Sequence, residues 1–383
     1  MKLPICVFGP APAREGLIRE RHGIKMNRVL MMIMAAGAVA GGIDRILGNK
    51  RGYGARFEEG FLFLGPTALS MAGMMCLAPV LSGVLGRVII PFYELIGADP
   101  GMFGSILAID MGGYQLAGEL ARDPRIGSYA GIVAASIFGC TVVFTIPVGM
   151  GIIAKEDRGY FAKGIMLGLV TMPVGLLVGG VLSGISAWES LRQNLPVIAL
   201  SLLLLLGLWR IPERMIRGFE LFAGGIRCVI TGGLVLGAVE FMCGFNPVKG
   251  MAPLEDAMEV VSSIGIVMLG SLPAAEFLKR ILKKPFFILG KRIGINPAGM
   301  TGLLVGAVSV IPGLALFQDM DERGKVANSA FLVSGASLLA AHIGFTVSTE
   351  PELAGALIGA KLCGGFAAFL LALLIPAGRK MQE

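Results

Sequence analysis

Apolar stretches long enough to cross a bilayer, about 18 residues or more, recur along almost the whole chain, and this constrains the fold more than any other feature. They fall at roughly residues 28–47, 60–84, 128–153, 160–184, 193–211, 217–245, 258–278, 326–346 and 353–376. In lipid every backbone N–H and C=O must find its partner within the protein, which leaves helices or a closed barrel. Segments of this length and apolarity read as helices, so the expected fold is all-α and polytopic. Only 15% of the 383 residues are charged, against about 25% in soluble domains. A soluble enzyme, a disordered chain and a disulfide scaffold are thereby excluded.

Two further apolar pieces, roughly 100–121 and 297–317, are interrupted by Gly112-Gly113 and Pro312-Gly313. We read them as re-entrant or broken helices, which gives about nine to eleven membrane segments. Arg45 to Arg56, Lys155 to Lys163, Arg210 to Arg217 and Lys279 to Arg292 follow alternate spans, whereas the loops Trp188 to Asn194, Phe245 to Asp256 and Thr346 to Glu352 hold one Arg and one Lys between them. The positive-inside rule places the basic set in the cytoplasm. Nine spans then put the C-terminus, with Arg379 and Lys380, inside. The net charge of +7 is thus a topology signal and not a nucleic-acid footprint. The six cysteines are scattered without a CxxC pair, so neither a metal nor another cofactor is called for.

The chain divides into residues 1–25, an N-terminal extension without the apolar core of a signal peptide; 26–56, the first helix and a basic loop; 57–245, a first repeat; and 250–378, a second. Met26 is the expected biological start. The repeats share Pro79 and Pro91 with Pro273 and Pro285, GADP at Gly97–Pro100 with GINP at Gly294–Pro297, and Gly113, Leu116, Glu119, Ala130 and Val133 with Gly313, Leu316, Asp319, Ala330 and Val333. The span at 60–84 would run outward and its partner at 258–278 inward, so the repeats are expected to be inverted. Inverted repeats with broken helices characterise secondary transporters, whose substrate lies where the breaks meet.

A charge inside the membrane costs about 2.5–3.5 kcal/mol on insertion scales, which draws attention to Asp110, beside Gly112 and Gly113. Its carboxylate would hold a cationic substrate or a coupling ion; capping of the following half-helix is the alternative. Tyr114 offers a π face to an ammonium group. Glu58 and Glu59 are further acidic candidates, although acids at a helix start also complement the dipole. Among the polar residues after the second interruption, Asp319 stands out because it aligns with Glu119. His342 would relay protons or be satisfied by a backbone carbonyl. An intramembrane enzyme is the rival class, but the chain has no HExxH, no GxSG and two histidines, His22 and His342. A structural subunit would leave Asp110 unexplained.

The runs Ala55–Phe61 (ARFEEGF), Leu77–Leu81 (LAPVL), Asp110–Tyr114 (DMGGY), Met320–Lys325 (MDERGK) and His342–Phe345 (HIGF) resemble the ethanolamine utilization transporter family, EutH, over nearly everything from Met26 to Arg379. The resemblance implies a permease of the bacterial inner membrane that carries ethanolamine, with the bilayer as its surroundings and a homo-oligomer left open. An ion-coupled carrier of another small polar solute is the alternative. The sequence departs from the family pattern where an Asn-Asn-Ile-Pro stretch is Ser309-Val310-Ile311-Pro312 and an Asp-His pair is Ala341-His342. Ser309 and Pro312 therefore join the candidate substrate-binding residues.

Overall fold

The computed structural model describes residues 14–246 and 248–376, with side chains from residue 28 onward. The expected extension at 1–25 therefore lies partly outside the described residues, as do Arg379 and Lys380. The described chain is helical throughout and contains no strand. Nine of its helical segments are long and apolar enough to span a membrane: Arg28–Ile46, Tyr53–Leu95, Pro124–Ile152, Lys155–Leu182, Ala187–Arg210, Pro212–Cys243, Leu254–Ile293, Glu322–Thr349 and Pro351–Leu374. They are numbered here as the first to ninth spans. The third and eighth are the most enclosed, each with 83% of its most apolar window buried, whereas the first and sixth have 22%. Spans on the rim present their apolar side chains to lipid, so burial separates inner from outer helices where composition does not.

The two interrupted pieces are not spans. Each is a short hairpin whose arms run antiparallel. In the first, the arm Pro100–Ile106 packs on the arm Gly113–Leu120, with Gly104 against Ala117 and Gly113. In the second, Pro297–Gly306 returns as Val310–Ala315, with Gly313 against Gly306. The start of both hairpins is specified by the repeated tetrapeptides. Gly97 and Gly294 each adopt φ 72°, the left-handed conformation that ends a helix and that glycine takes without steric cost. Asp99 then caps the next helix by accepting from Gly101 N at 2.7 Å, and Asn296 does so from Gly299 N at 2.8 Å. Pro100 and Pro297 follow at the first helical position, where a missing N–H costs nothing.

The hairpin bases are tied across their own necks. The Asp99 carboxylate also accepts from Arg122 N at 3.1 Å and Asp123 N at 3.0 Å. In the second hairpin Asn296 N donates to Asp321 Oδ1 at 3.1 Å, and Asn296 Nδ2 donates to the Asp319 carbonyl at 2.7 Å. These bases lie at opposite ends of the fourth span. Lys325 and Glu322, past the second hairpin, bond Asp157 and Tyr160 at its start. Asp99 N, at the first, donates to Gln193 Oε1 at 2.6 Å, and Gln193 lies beyond the other end of that span, in the opening turns of the fifth.

The second interruption falls earlier than the Pro312-Gly313 pair suggests. Ser309 is the extended residue (φ −153°, ψ 136°) and Pro312 lies in the first turn of Val310–Ala315, where its missing donor would have no intrahelical partner in any case. The structure adds two breaks that hydropathy does not register. The third span is π-helical over Ala130–Gly139 and Thr141–Thr145. The eighth opens at Ala336 and Ser337, the latter at φ 54°. Both breaks face hairpin tips: Leu107 O lies against Gly139, while Ser337 N and Leu339 N donate to the Gly306 and Ala307 carbonyls at 3.1 and 2.8 Å. The broken spans also meet directly, Thr141 Oγ1 donating to Val333 O at 3.0 Å.

Lys249, on the loop before the seventh span, and Lys284, which the structure places within the last turns of that span and not on a loop after it, are both exposed and lie on opposite expected sides. In cells carrying a single engineered cysteine, Lys249→Cys should react with an impermeant maleimide added outside, and Lys284→Cys should react only after permeabilisation. The reverse pattern would invert the topology.

Candidate functional site

A cavity of about 410 Å³ opens between the second arm of the first hairpin, the start of the third span, the middle of the second span and the loops preceding the seventh and ninth. Tyr114, Gln115 and Glu119 reach it from the hairpin, Ser128 from the third span, Asp256 from the opening turn of the seventh, and Glu350 from the end of the eighth. No Lys or Arg lines it, although three carboxylates do. Glu350 and Asp256 come from two of the three base-poor loops, so charge patterning and cavity coincide at one face of the molecule. Such a concentration of one sign in a concave, partly apolar setting raises the local density of cations.

Glu350 is the organising group. Its Oε1 accepts from Tyr114 OH at 2.9 Å and from Ser128 Oγ at 3.0 Å, and none of the ion pairs among the described residues includes it. Its carboxyl group is thus oriented on the cavity wall by two neutral donors. The Tyr114 ring stands edge-on to Phe345, with centroids 5.8 Å apart. Gln115 lines the cavity with its stem, and neither its amide oxygen nor its amide nitrogen, both buried, has a protein partner. A buried amide without partners costs about 1–3 kcal/mol, which leaves Gln115 a polar group adjoining the cavity and unsatisfied by the protein. Carboxylate, aromatic face and free amide together suit a small molecule with an ammonium at one end and a hydroxyl at the other.

Of the residues singled out from the sequence, the cavity takes Tyr114 alone. Asp110 lies at the tip of the same hairpin, within electrostatic reach of Cys140. It does not cap the following arm, whose N-cap is Gly112 with no side-chain bond. Gly112 and Gly113 shape the tip. His342 is buried, with Nδ1 unpartnered, and its ring lies by the Ala336 carbonyl. Glu58 and Glu59 sit near the opposite, basic end, where they pair with Arg45 at 3.7 Å and Arg56 at 2.5 Å. Exposed pairs of this kind contribute little to stability. Ser309, Pro312 and Asp319 belong to the second hairpin, away from the cavity. Asp319 and its aligned counterpart Glu119 thus occupy the two different hairpins, and only Glu119 lines the cavity.

The sequence reading passed over Gln115, Ser128, Asp256, Glu350 and Lys361. Lys361 is the unexpected one. It stands in the ninth span, fully buried, and donates to the carbonyls of Ser136 at 2.8 Å, Ser334 at 3.1 Å and Ala336 at 3.0 Å. A lone lysine in an apolar span was the available signal. Glu350 offered none, since an acid in an exposed-looking loop is ordinary.

The sequence profile of the family described as "Ethanolamine utilisation protein, EutH" matches residues 26–375. A protein of Listeria monocytogenes named "Probable ethanolamine permease EutH" is 40% identical over 361 residues, covering 94% of this chain and 96% of its own length. The "Uncharacterized protein YxeR" of Bacillus subtilis is 42% identical, over 94% and 97% of the two chains. A second "Probable ethanolamine permease EutH", of Salmonella typhimurium, is 38% identical over 91% and 95%. No solved structure matches the chain.

The shape of the hairpin tip is open to direct test at Gly112. Its φ is 89°, and a Cβ there would fall 1.8 Å from Met74 Cγ. The left-handed conformation alone costs a non-glycine residue about 1–2 kcal/mol, before the collision is counted. Gly112→Ala should therefore lower the melting midpoint of the purified protein clearly, whereas Gly83→Ala, where nothing lies within 4 Å, should leave it in place.

Proposed function

This chain belongs to the EutH family of ethanolamine utilisation proteins, and on that premise we propose that it is a permease for ethanolamine, a transporter and not an enzyme. The observation that carries the substrate is Glu350, a carboxylate without a basic partner, held by Tyr114 and Ser128 on the wall of a cavity that no cation lines. Ethanolamine at neutral pH is an ammonium ion with a hydroxyl two carbons away. Its ammonium would displace the Tyr114 hydroxyl at Glu350 and lie near the Tyr114 ring; a turn of the Gln115 side chain would bring its amide, which can both donate and accept, to the substrate hydroxyl. Asp110, further along the same hairpin, is the next carboxylate inward.

The same reading assigns the sides. With the basic loops in the cytoplasm of a bacterial inner membrane, the cavity opens outward and the C-terminus lies inside. The two hairpins would then enter from opposite leaflets, consistent with inverted repeats, and alternating access would follow from movement of one hairpin-bearing unit against the other. Support comes from the matched caps of the hairpins and from their bases at opposite ends of the fourth span.

Uptake of labelled ethanolamine into proteoliposomes tests the assignment. A hydrogen bond to a charged group contributes about 1.5–3 kcal/mol, so Glu350→Gln should weaken apparent affinity by roughly ten- to a hundredfold while the protein still inserts. Gln115→Leu should leave affinity for ethylamine nearly intact and reduce the preference for ethanolamine over ethylamine by roughly two- to tenfold. Glu350→Gln uptake equal to that of the unmodified protein would remove this cavity from the transport path.

A further inference from the structure

The structure buries a basic side chain completely and gives its nitrogen hydrogen bonds to backbone oxygens alone. Lys361 is 0% exposed. Each of its three N–H bonds finds a carbonyl: Ser136 in the third span, Ser334 and Ala336 in the eighth. No carboxylate forms an ion pair with it among the described residues. Two of these oxygens come from corresponding points of the aligned halves, since the register that pairs Ala130 with Ala330 and Val133 with Val333 also pairs Ser136 with Ala336. The Ser334 and Ala336 carbonyls are exposed by the opening of the eighth span at Ala336 and Ser337; they are the negative end of the helix that stops there.

Unwound carbonyls and half-helix C-termini at the crossing of broken helices are the chemistry by which secondary transporters coordinate a free sodium ion or proton donor. Here a tethered ammonium holds that place. We propose that Lys361 is a built-in monovalent cation: it fills the coordination site between the two broken spans permanently, so that the carrier binds no free sodium or potassium there and moves its substrate without an alkali-ion partner. The spacing of 2.8–3.1 Å suits ammonium, whose size is closer to potassium than to sodium. The inference about transport rests on the permease reading above; the inference about the site does not.

Melting of the purified protein without substrate separates the two. Lys361→Met keeps the stem to Cε and removes the ammonium, leaving three oxygens unpaired. In N-methylglucamine chloride this variant should melt below the unmodified protein, and added potassium chloride at constant ionic strength should raise its midpoint in a saturable way, with sodium less effective. The unmodified protein should show no such shift. A Lys361→Met protein that melts like the unmodified one, or that gains nothing from either alkali ion, would overturn the cation site. Should Lys361→Met fail to accumulate, the unmodified protein decides: a saturable rise of its own midpoint with sodium or potassium would overturn the proposal, as would ethanolamine uptake that stops when alkali ions are replaced by N-methylglucamine under a fixed membrane potential. Absence of ethanolamine uptake under every condition would count against the permease reading and leave the melting result standing.

Discussion

A helix that breaks inside a membrane exposes carbonyls and amides that no water will satisfy, and each such group left bare costs several kcal/mol. The architecture of this chain is a set of answers to that cost. The Lys361 ammonium takes three carbonyls at the crossing of the third and eighth spans. Amides of the opened eighth span turn to the tip of the second hairpin, and Thr141 bridges one broken span to the other. At the hairpin bases, Asp99, Asn296 and Asp321 serve the amides of helix starts and returning arms. Remove these partners and the breaks have no reason to persist; with them, irregular backbone is confined to the protein interior.

The acid-lined cavity follows from the same scaffold. The first hairpin carries Tyr114, Gln115 and Glu119 on one short arm, and the tie from Asp99 to Arg122 and Asp123 fixes that arm beside the start of the third span. The end of the eighth span then delivers Glu350 to the hairpin, a contact between residues 236 positions apart. Cavity chemistry thus draws on both aligned halves, as does the ammonium cage at the crossing.

What the sequence discloses and what it conceals divide along a physical line. Nine spans, two hairpins and the matched caps are local features: apolar length, a glycine in the left-handed region and a proline one residue past a capping Asp or Asn act over a few residues. The breaks in the third and eighth spans are different. Ala130–Gly139 and the Ala336-Ser337 opening occur in runs within the ordinary hydropathy range of the spans, because what stabilises them is a partner from elsewhere in the chain. Lys361 is that partner, and within a window of average hydropathy one lysine is invisible. Among the site residues, Tyr114 was legible beside Gly112 and Gly113, whereas Glu350 gains meaning only from Tyr114 and Ser128 across the fold. Glu58 and Glu59 illustrate the converse: adjacent acids draw the eye, and neighbouring arginines account for them.

The bond between Tyr114 and Glu350 has a kinetic side. On the proposed reading it would make the protein its own competitor, since an arriving cation would have to displace a hydroxyl that is always present at high effective concentration. Retention would then be limited by that built-in rival: whenever a bound ammonium loosened, the phenol would be in position to retake the oxygen before the ion could return. A binding protein designed to hold scarce solute would be harmed by such an arrangement. For a permease of the kind proposed, which would give up its cargo at every cycle, short residence on the wall would be an advantage, with affinity set aside for turnover.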